Sequence, residues 1–128
     1  MLAKSFDFDA FEERLKARVS HELPKTDFEH TISVVKNMKR LVTMEGGKRD
    51  ILVAVAYLHE LGRGDNTVVL GAKLEERTLM YARCTSCATK AREVLCELNF
   101  PQEKVVQVKQ LLETNSCIEL KRAHHACQ

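Results

Sequence analysis

The sequence predicts an all-α domain, a compact bundle of five to six helices, and three observations predict it. Five Gly and two Pro in 128 residues are too few for the tight turns of an all-β domain. Apolar residues recur at three- and four-residue steps along most of the chain, the period of helices with one buried face. The longest apolar run, Ile51 to Leu58, is apolar all round, as in a helix enclosed by others.

The elements follow in order. Asp9 and Glu12 stand at capping-box spacing before a helix whose face is Phe8, Phe11, Leu15 and Val19, ended by Leu23-Pro24. Thr26-Asp27-Phe28-Glu29 has the spacing of a second capping box, opening a helix that runs to about Met44, before Gly46-Gly47. Its stripe is Phe28, Ile32, Val35 and Val42, widened by Val34, Met38 and Leu41. The third helix, about Lys48 to Leu61, stops at Gly62 and Gly64. Between Arg63 and Arg83 the pattern gives only a turn at Gly64-Asp65-Asn66 and a short helix over Leu74 to Tyr81. Thr85 or Ser86 is placed to cap a fourth helix that buries Ala88, Ala91, Val94, Leu95 and Leu98. Asn99-Phe100-Pro101 separates it from a fifth, with Pro101 at the first helical position and Val105, Val108, Leu111 and Leu112 inward. A short sixth piece covers Ser116 to Ala126.

Composition narrows the function classes. A chain of 14.6 kDa, 45% hydrophobic and 30% charged, is expected to form one folded domain over residues 1–128. Twenty basic residues against eighteen acidic ones leave a formal charge of only +2, which argues against a nucleic-acid-binding tail or a polybasic membrane anchor. The basic residues Lys36, Lys39, Arg40, Lys48 and Arg49 gather around the second and third helices and read as solvated helix faces. Aromatics at 5% with no Trp make base-stacking platforms hard to build. Neither a signal-peptide pattern nor a membrane-length apolar stretch is present, so the expected location is the cytoplasm. There Cys84, Cys87, Cys96, Cys117 and Cys127 should be thiols. Cys84-Thr85-Ser86-Cys87 is a CxxC, but no second close pair completes a zinc site, and buried core thiols are the expected reading.

The histidines carry more information. At about 100° per residue from Phe28, His30 falls at about 200°, on the border of the apolar face. A residue lining a cleft would sit there, and so would a half-buried histidine bonded to a neighbour. His59-Glu60 closes the third helix, where a carboxylate faces the negative end of the helix dipole. A cation held there would repair that mismatch, and imidazole with carboxylate suits a divalent metal. The simpler alternative is that Glu60 points to water.

Two stretches then acquire a joint meaning. Phe28-Glu29-His30-Thr31-Ile32-Ser33-Val34-Val35 and Ile51-Leu52-Val53-Ala54-Val55-Ala56-Tyr57-Leu58-His59-Glu60-Leu61-Gly62-Arg63 together resemble the HD-domain metal-dependent phosphohydrolases. In that family one histidine opens a helix, and a His-Asp pair ends the next buried helix before a Gly-containing turn. Ala91 to Val105 is similar to the helix-turn-helix that follows. The likeness spans about residues 26 to 115 and implies an HD-domain-like bundle.

The resemblance maps His30, His59 and Glu60 onto the family's metal ligands. The pair is His-Glu rather than His-Asp, so the carboxylate reaches one methylene further. Further histidines of many members would fall near Arg83 or Cys84 and near Asn115, where this chain has none. The closing aspartate comes from a late helix, where this chain has Ala123-His124-His125-Ala126-Cys127-Gln128. Either His124 or His125 takes that place, or the fourth protein ligand is missing. A single divalent ion (Mn, Fe, Ni, Zn or Mg) is therefore expected rather than a dinuclear site. Such an ion would lower the pKa of a bound water and polarise a phosphoryl oxygen. The implied substrate is a phosphate monoester or nucleotide. Glu60 and Arg63 are the candidate catalytic residues, Arg63 because its planar fork suits phosphate oxygens. The competing expectation is a catalytically degenerate HD domain that binds a nucleotide or a protein partner and turns nothing over.

Overall fold

Residues Ile51 to Leu58 cannot face water on any side of a helix, and the structure encloses them. The computed structural model describes residues 6–62 and 76–126, with side chains throughout these except at 76–82. Helix α3 (Arg49–Leu58) is buried at every position from Ile51 onward. Each fully buried aliphatic side chain contributes about 1.5–3 kcal/mol, so this helix anchors the bundle. Against it pack α1 (Phe8–Glu22), α2 (Lys25–Glu45), α5 (Gln102–Thr114) and α6 (Ile118–His125), while α4 (Glu76–Glu97) packs along α5. The described residues thus form six helices and no strand, the all-α class expected.

The apolar periods translate into core positions. Phe11, Leu15 and Val19 of α1 are fully buried, as are Ala88, Ala91, Val94 and Leu95 of α4. On α5, Val105, Val108 and Leu112 face inward, with Leu111 partly covered. Phe11 stacks on Phe100 with ring centroids 4.7 Å apart, which ties α1 to the α4–α5 turn. The buried face of α2 is rotated from its sequence stripe. Thr31, Val34, Val35 and Met38 are buried, and Phe28, Ile32, Leu41 and Val42 only partly so. Docking thus moves the edge of the stripe while keeping its period.

Several helix ends differ from their sequence signals. Asp7, not Asp9, caps α1, its carboxylate accepting from the Ala10 N–H at 3.2 Å. Glu12, released from any capping role, lies 8% exposed under Tyr57 and Lys39. Helix α2 begins at Lys25, and its cap is Pro24, whose carbonyl accepts from Phe28 N–H at 2.9 Å. Proline's fixed φ, here −57°, presets the helix entry ahead of Thr26. Helix α3 ends at Leu58, so His59 and Glu60 belong to the turn after it. Helix α4 runs unbroken through Cys84-Thr85-Ser86, so neither Thr85 nor Ser86 is a cap. Ser86 instead donates to the Gly62 carbonyl at 2.8 Å. Pro101 is the cap of α5 rather than its first residue. The expected helix over Leu74 to Tyr81 is the start of α4 from Glu76 onward; Leu74 and the Gly64-Asp65-Asn66 turn lie outside the described residues.

The end of α5 determines where the last helix goes. Asn115 adopts the left-handed conformation (φ 51°), and its N–H returns to the Leu111 and Leu112 carbonyls. Asparagine tolerates that region better than most residues with a side chain. The chain then turns back, Cys117 caps α6 by accepting from Leu120 N–H, and α6 comes to rest on α2 and α3. No helix among the described residues is long and apolar enough to cross a membrane.

Candidate metal centre

The site is built at the point where α2, the turn after α3, and α6 meet. His30 sits in the first third of α2, half-buried, and His59 and Glu60 follow the buried end of α3. His124 comes from the last turn of α6. One ligand-capable atom from each of His30, His59, Glu60 and His124 lies within 4.8 Å of all the others. Of the two late histidines left open by the sequence, the structure brings His124 to the cluster and leaves His125 exposed.

His59 is the best defined member. It is 3% exposed, and its Nδ1 stands 2.6 Å from the Ala56 carbonyl oxygen. A carbonyl can only accept, so Nδ1 carries the hydrogen and, in the neutral ring, Nε2 presents a lone pair. Metal-ligating histidines are commonly oriented by a backbone carbonyl in this way. Nε2 is buried without a hydrogen-bond partner. Glu60 Oε1 is 3.2 Å from it, an ion-pair distance but out of line for a hydrogen bond. Two electron-pair donors therefore face the same small space, and burying the His59 Nε2 without a hydrogen bond costs about 1–3 kcal/mol.

On the other side, His30 Nε2 and His124 Nε2 are 3.0 Å apart. One of the two can donate to the other, or both can turn their lone pairs to a shared cation. The three rings are mutually tilted, with centroids 4.7 Å apart for His30–His124, 5.8 Å for His59–His124 and 6.2 Å for His30–His59. An ion with bonds of about 2.1 Å can join ligand atoms up to about 4.2 Å apart. The four ligand atoms lie within 4.8 Å of one another, close to that span. Three imidazoles and one carboxylate form a donor set for late first-row divalent ions more than for Mg, which prefers oxygen. The orphaned buried Nε2 of His59 and the convergence of four donors fit such an ion.

The frame around these side chains is specific. Leu61, 1% exposed, plugs the turn into the core, and Gly62 completes it at φ 71°. A Cβ on Gly62 would stand 3.3 Å from Ser86 oxygen atoms. Cys87 points its thiol at the Leu58 and His59 carbonyls, at 3.2 and 3.4 Å. Asn37 donates to the Ala123 carbonyl at 3.2 Å and thereby positions the residue before His124. Asn37 lies seven residues after His30 on the same face of α2, a periodic signal that could have flagged it. Nothing in local sequence marked Cys87 for its role.

Beside His59 lies a small cavity of about 20 Å³, lined among others by Cys84, Cys87, Asn115 and Cys117. Cys84 and Asn115 are where the resemblance would put further histidines. Room for about one water is present there, but the donors are thiols and an amide. Cys84, Cys87 and Cys117 are buried thiols and Cys96 is a half-buried one, and among the described residues no thiol joins the four-residue cluster. Cys127 and the candidate phosphate clamp Arg63 lie outside the described residues.

The basic cluster near α2 and α3 is largely spent in local pairing. Lys39 bonds Glu12 at 2.5 Å, Arg49 approaches Asp9 at 4.0 Å and Lys48 donates to Gln107 at 3.1 Å. Comparison with family models, with curated proteins and with solved structures returns no match to this chain.

Proposed function

We propose that this chain is an HD-type metal-dependent phosphohydrolase that holds one divalent ion on His30, His59, Glu60 and His124. The substrate class is a phosphate monoester or nucleotide. The observation that carries the reading is the buried, unpartnered Nε2 of His59 facing Glu60 Oε1 at 3.2 Å, with two further imidazoles within 4.8 Å. The pattern of residues around His30 and around His59-Glu60 supplies the phosphoryl chemistry, by resemblance.

Held by these four residues, a divalent ion would supply Lewis acidity toward a phosphoryl oxygen and toward water at the site. The protein's part is orientation. The Ala56 carbonyl fixes the His59 tautomer, Leu61 and Gly62 set the turn, and Asn37 holds α6 so that His124 faces inward. Glu60, 25% exposed at its side chain, is the one carboxylate of the cluster and can accept a proton from a water there. Arg63 follows the same turn by one residue and is proposed to bind the phosphate.

A second reading keeps the metal and drops the turnover. Four protein donors can fill a tetrahedral ion such as Zn²⁺, and structural zinc sites are closed in this way. An ion of higher coordination number would retain positions for water and substrate. Metal content of the purified protein, followed by phosphate release from mononucleotides and a generic phosphomonoester, tests both. Phosphate release that is lost in His59→Ala supports the hydrolase. Stoichiometric metal without turnover in Mn, Fe, Ni, Zn or Mg supports the binding module, and absence of metal after soaking in each ion removes both.

A further inference from the structure

We propose that the bound ion acts as a latch on the C-terminal helix α6, so that metal occupancy controls access to the thiol-lined cavity beneath it. This rests on the metal-site reading above and concerns the regulation of that same site.

The donors are unequally anchored. His30, His59 and Glu60 belong to α2 and to the turn after α3, which the core holds rigidly. His124 belongs to an eight-residue helix whose one buried residue is Ala123. A helix of that length has no stability of its own in water, so docking alone maintains it. Its polar ties run to α2. Asn37 donates to the Ala123 carbonyl at 3.2 Å, and Arg122 bonds Glu45 at 2.6 and 2.7 Å in an exposed pair. Exposed pairs of this kind contribute little, because water screens them. The His30–His124 contact at 3.0 Å is a further tie to α2. An ion bridging His124 to His30, His59 and Glu60 would join this weakly held helix to two core elements at once.

The N-terminal end of the same helix is a thiol. Cys117 caps α6 with its Sγ, is 3% exposed, and lines the cavity that also meets Cys84, Cys87 and His59. Burial pushes the Cys117 thiol up from its ordinary pKa, so the docked form is poor in thiolate and slow to react. Lifting α6 removes the cap, hydrates the thiol and opens the cavity. Cys96, half-buried on α4 beside Gln102, is remote from that movement and serves as an internal reference.

The test uses the full chain, stripped with a chelator and then loaded with Ni²⁺ alone. Alkylation by iodoacetamide is followed at each cysteine by mass spectrometry, together with amide hydrogen exchange in α6. At one hundred times the dissociation constant, a state that cannot bind falls about a hundredfold in population. The open chain keeps three donors, so the expected slowing at Cys117 is smaller, at least about tenfold by analogy with losing one partner of a site. Cys96 is expected to be unchanged. His124→Ala, loaded to saturation, should show fast Cys117 alkylation, and His125→Ala should behave as the native chain. Because His124→Ala retains Cys117, protection that persists there would mean direct capture of nickel by the thiol and would overturn the latch. Stoichiometric Ni²⁺ with unchanged Cys117 alkylation overturns the latch and leaves the metal site standing. Failure to bind Ni²⁺ overturns the latch, and the metal-site reading falls with it only when Mn, Fe, Zn and Mg are refused as well.

Discussion

The Nε2 atoms of His30 and His124 stand 3.0 Å apart although 94 positions separate the two residues in the chain. That contact joins the first third of α2 to the last turn of α6 and closes a ring of donors whose other half is His59-Glu60. It also assigns unequal roles to neighbours. His124 completes the cluster, whereas His125, one residue on, is exposed. Replacing His124 by alanine should weaken divalent-ion affinity by at least the ~10–100-fold that follows from losing a group that merely orients a ligand. His125→Ala should leave it unchanged. Equilibrium titration of both variants with Ni²⁺ checks this, and equal affinities would remove α6 from the site.

Gly62 should be the most sensitive small residue near the cluster. Its φ of 71°, and the 3.3 Å that would separate an added Cβ from the Ser86 oxygens, strain any replacement. Gly62→Ala is expected to cost about 1–3 kcal/mol, a fall in Tm of roughly 4 °C per kcal/mol. Thermal unfolding by circular dichroism measures it. Ser86→Ala relieves part of the clash while losing the bond to the Gly62 carbonyl, so the double variant should be less than additive.

The helical periods of α1, α4 and α5 were legible because burial of one face leaves a direct trace in residue order, and α3 was legible from its unbroken apolar run. The ends were less so. Thr26 and Glu29 have capping-box spacing, yet the fixed φ of Pro24 begins the helix earlier, and a spacing rule cannot weigh the two. Thr85 and Ser86 resembled caps because no signal shows that the helix read over Leu74 to Tyr81 continues through Arg83 and Cys84. For the site, residue order put His30 on the border of an apolar face and His59-Glu60 at the end of a buried run, and only the resemblance grouped them as candidate ligands. The choice between His124 and His125 was not, since it depends on how α6 rotates as it docks, through Asn37 and Ala123. That information lies in tertiary contacts far apart in sequence.

Leu58, fully buried at the end of α3, links core packing to the site, because its carbonyl accepts from the Leu61 N–H at 3.1 Å. Leu58→Ala should lose about 2–5 kcal/mol and loosen the turn that carries His59. A shift of the urea midpoint with the slope unchanged is the expected form. A variant as stable as the native chain would contradict the placement of α3 at the centre.

Acid should weaken the bundle through Glu12. Burial alone would raise its carboxyl, but the bonds from Lys39 and Tyr57 outweigh burial and hold it below the ordinary value of 4.5. Burial, then the hydrogen bond to the Glu12 carboxylate, pushes the Tyr57 phenol up in turn. With its folded pKa depressed, Glu12 contributes stability that is complete above the unfolded value and is lost as pH falls through the folded one. Glu12→Gln should therefore cost about 1–3 kcal/mol near neutrality. The gap between the two proteins should narrow as pH drops below 4.5, where the carboxylate of the native chain becomes protonated. Urea denaturation at a series of pH values provides the comparison, and a gap independent of pH would assign the effect to packing.

The proposal stands or falls on His59 Nε2 as a metal ligand, and metal stoichiometry tests that most directly. The chelator-stripped full chain is equilibrated with Mn, Fe, Ni, Zn or Mg and its bound metal is counted after removal of excess. One ion per folded chain is expected for at least one of the late first-row metals, and none in a folded His59→Ala variant. A native chain that retains none of the five, or a His59→Ala chain that retains one as tightly, would contradict it.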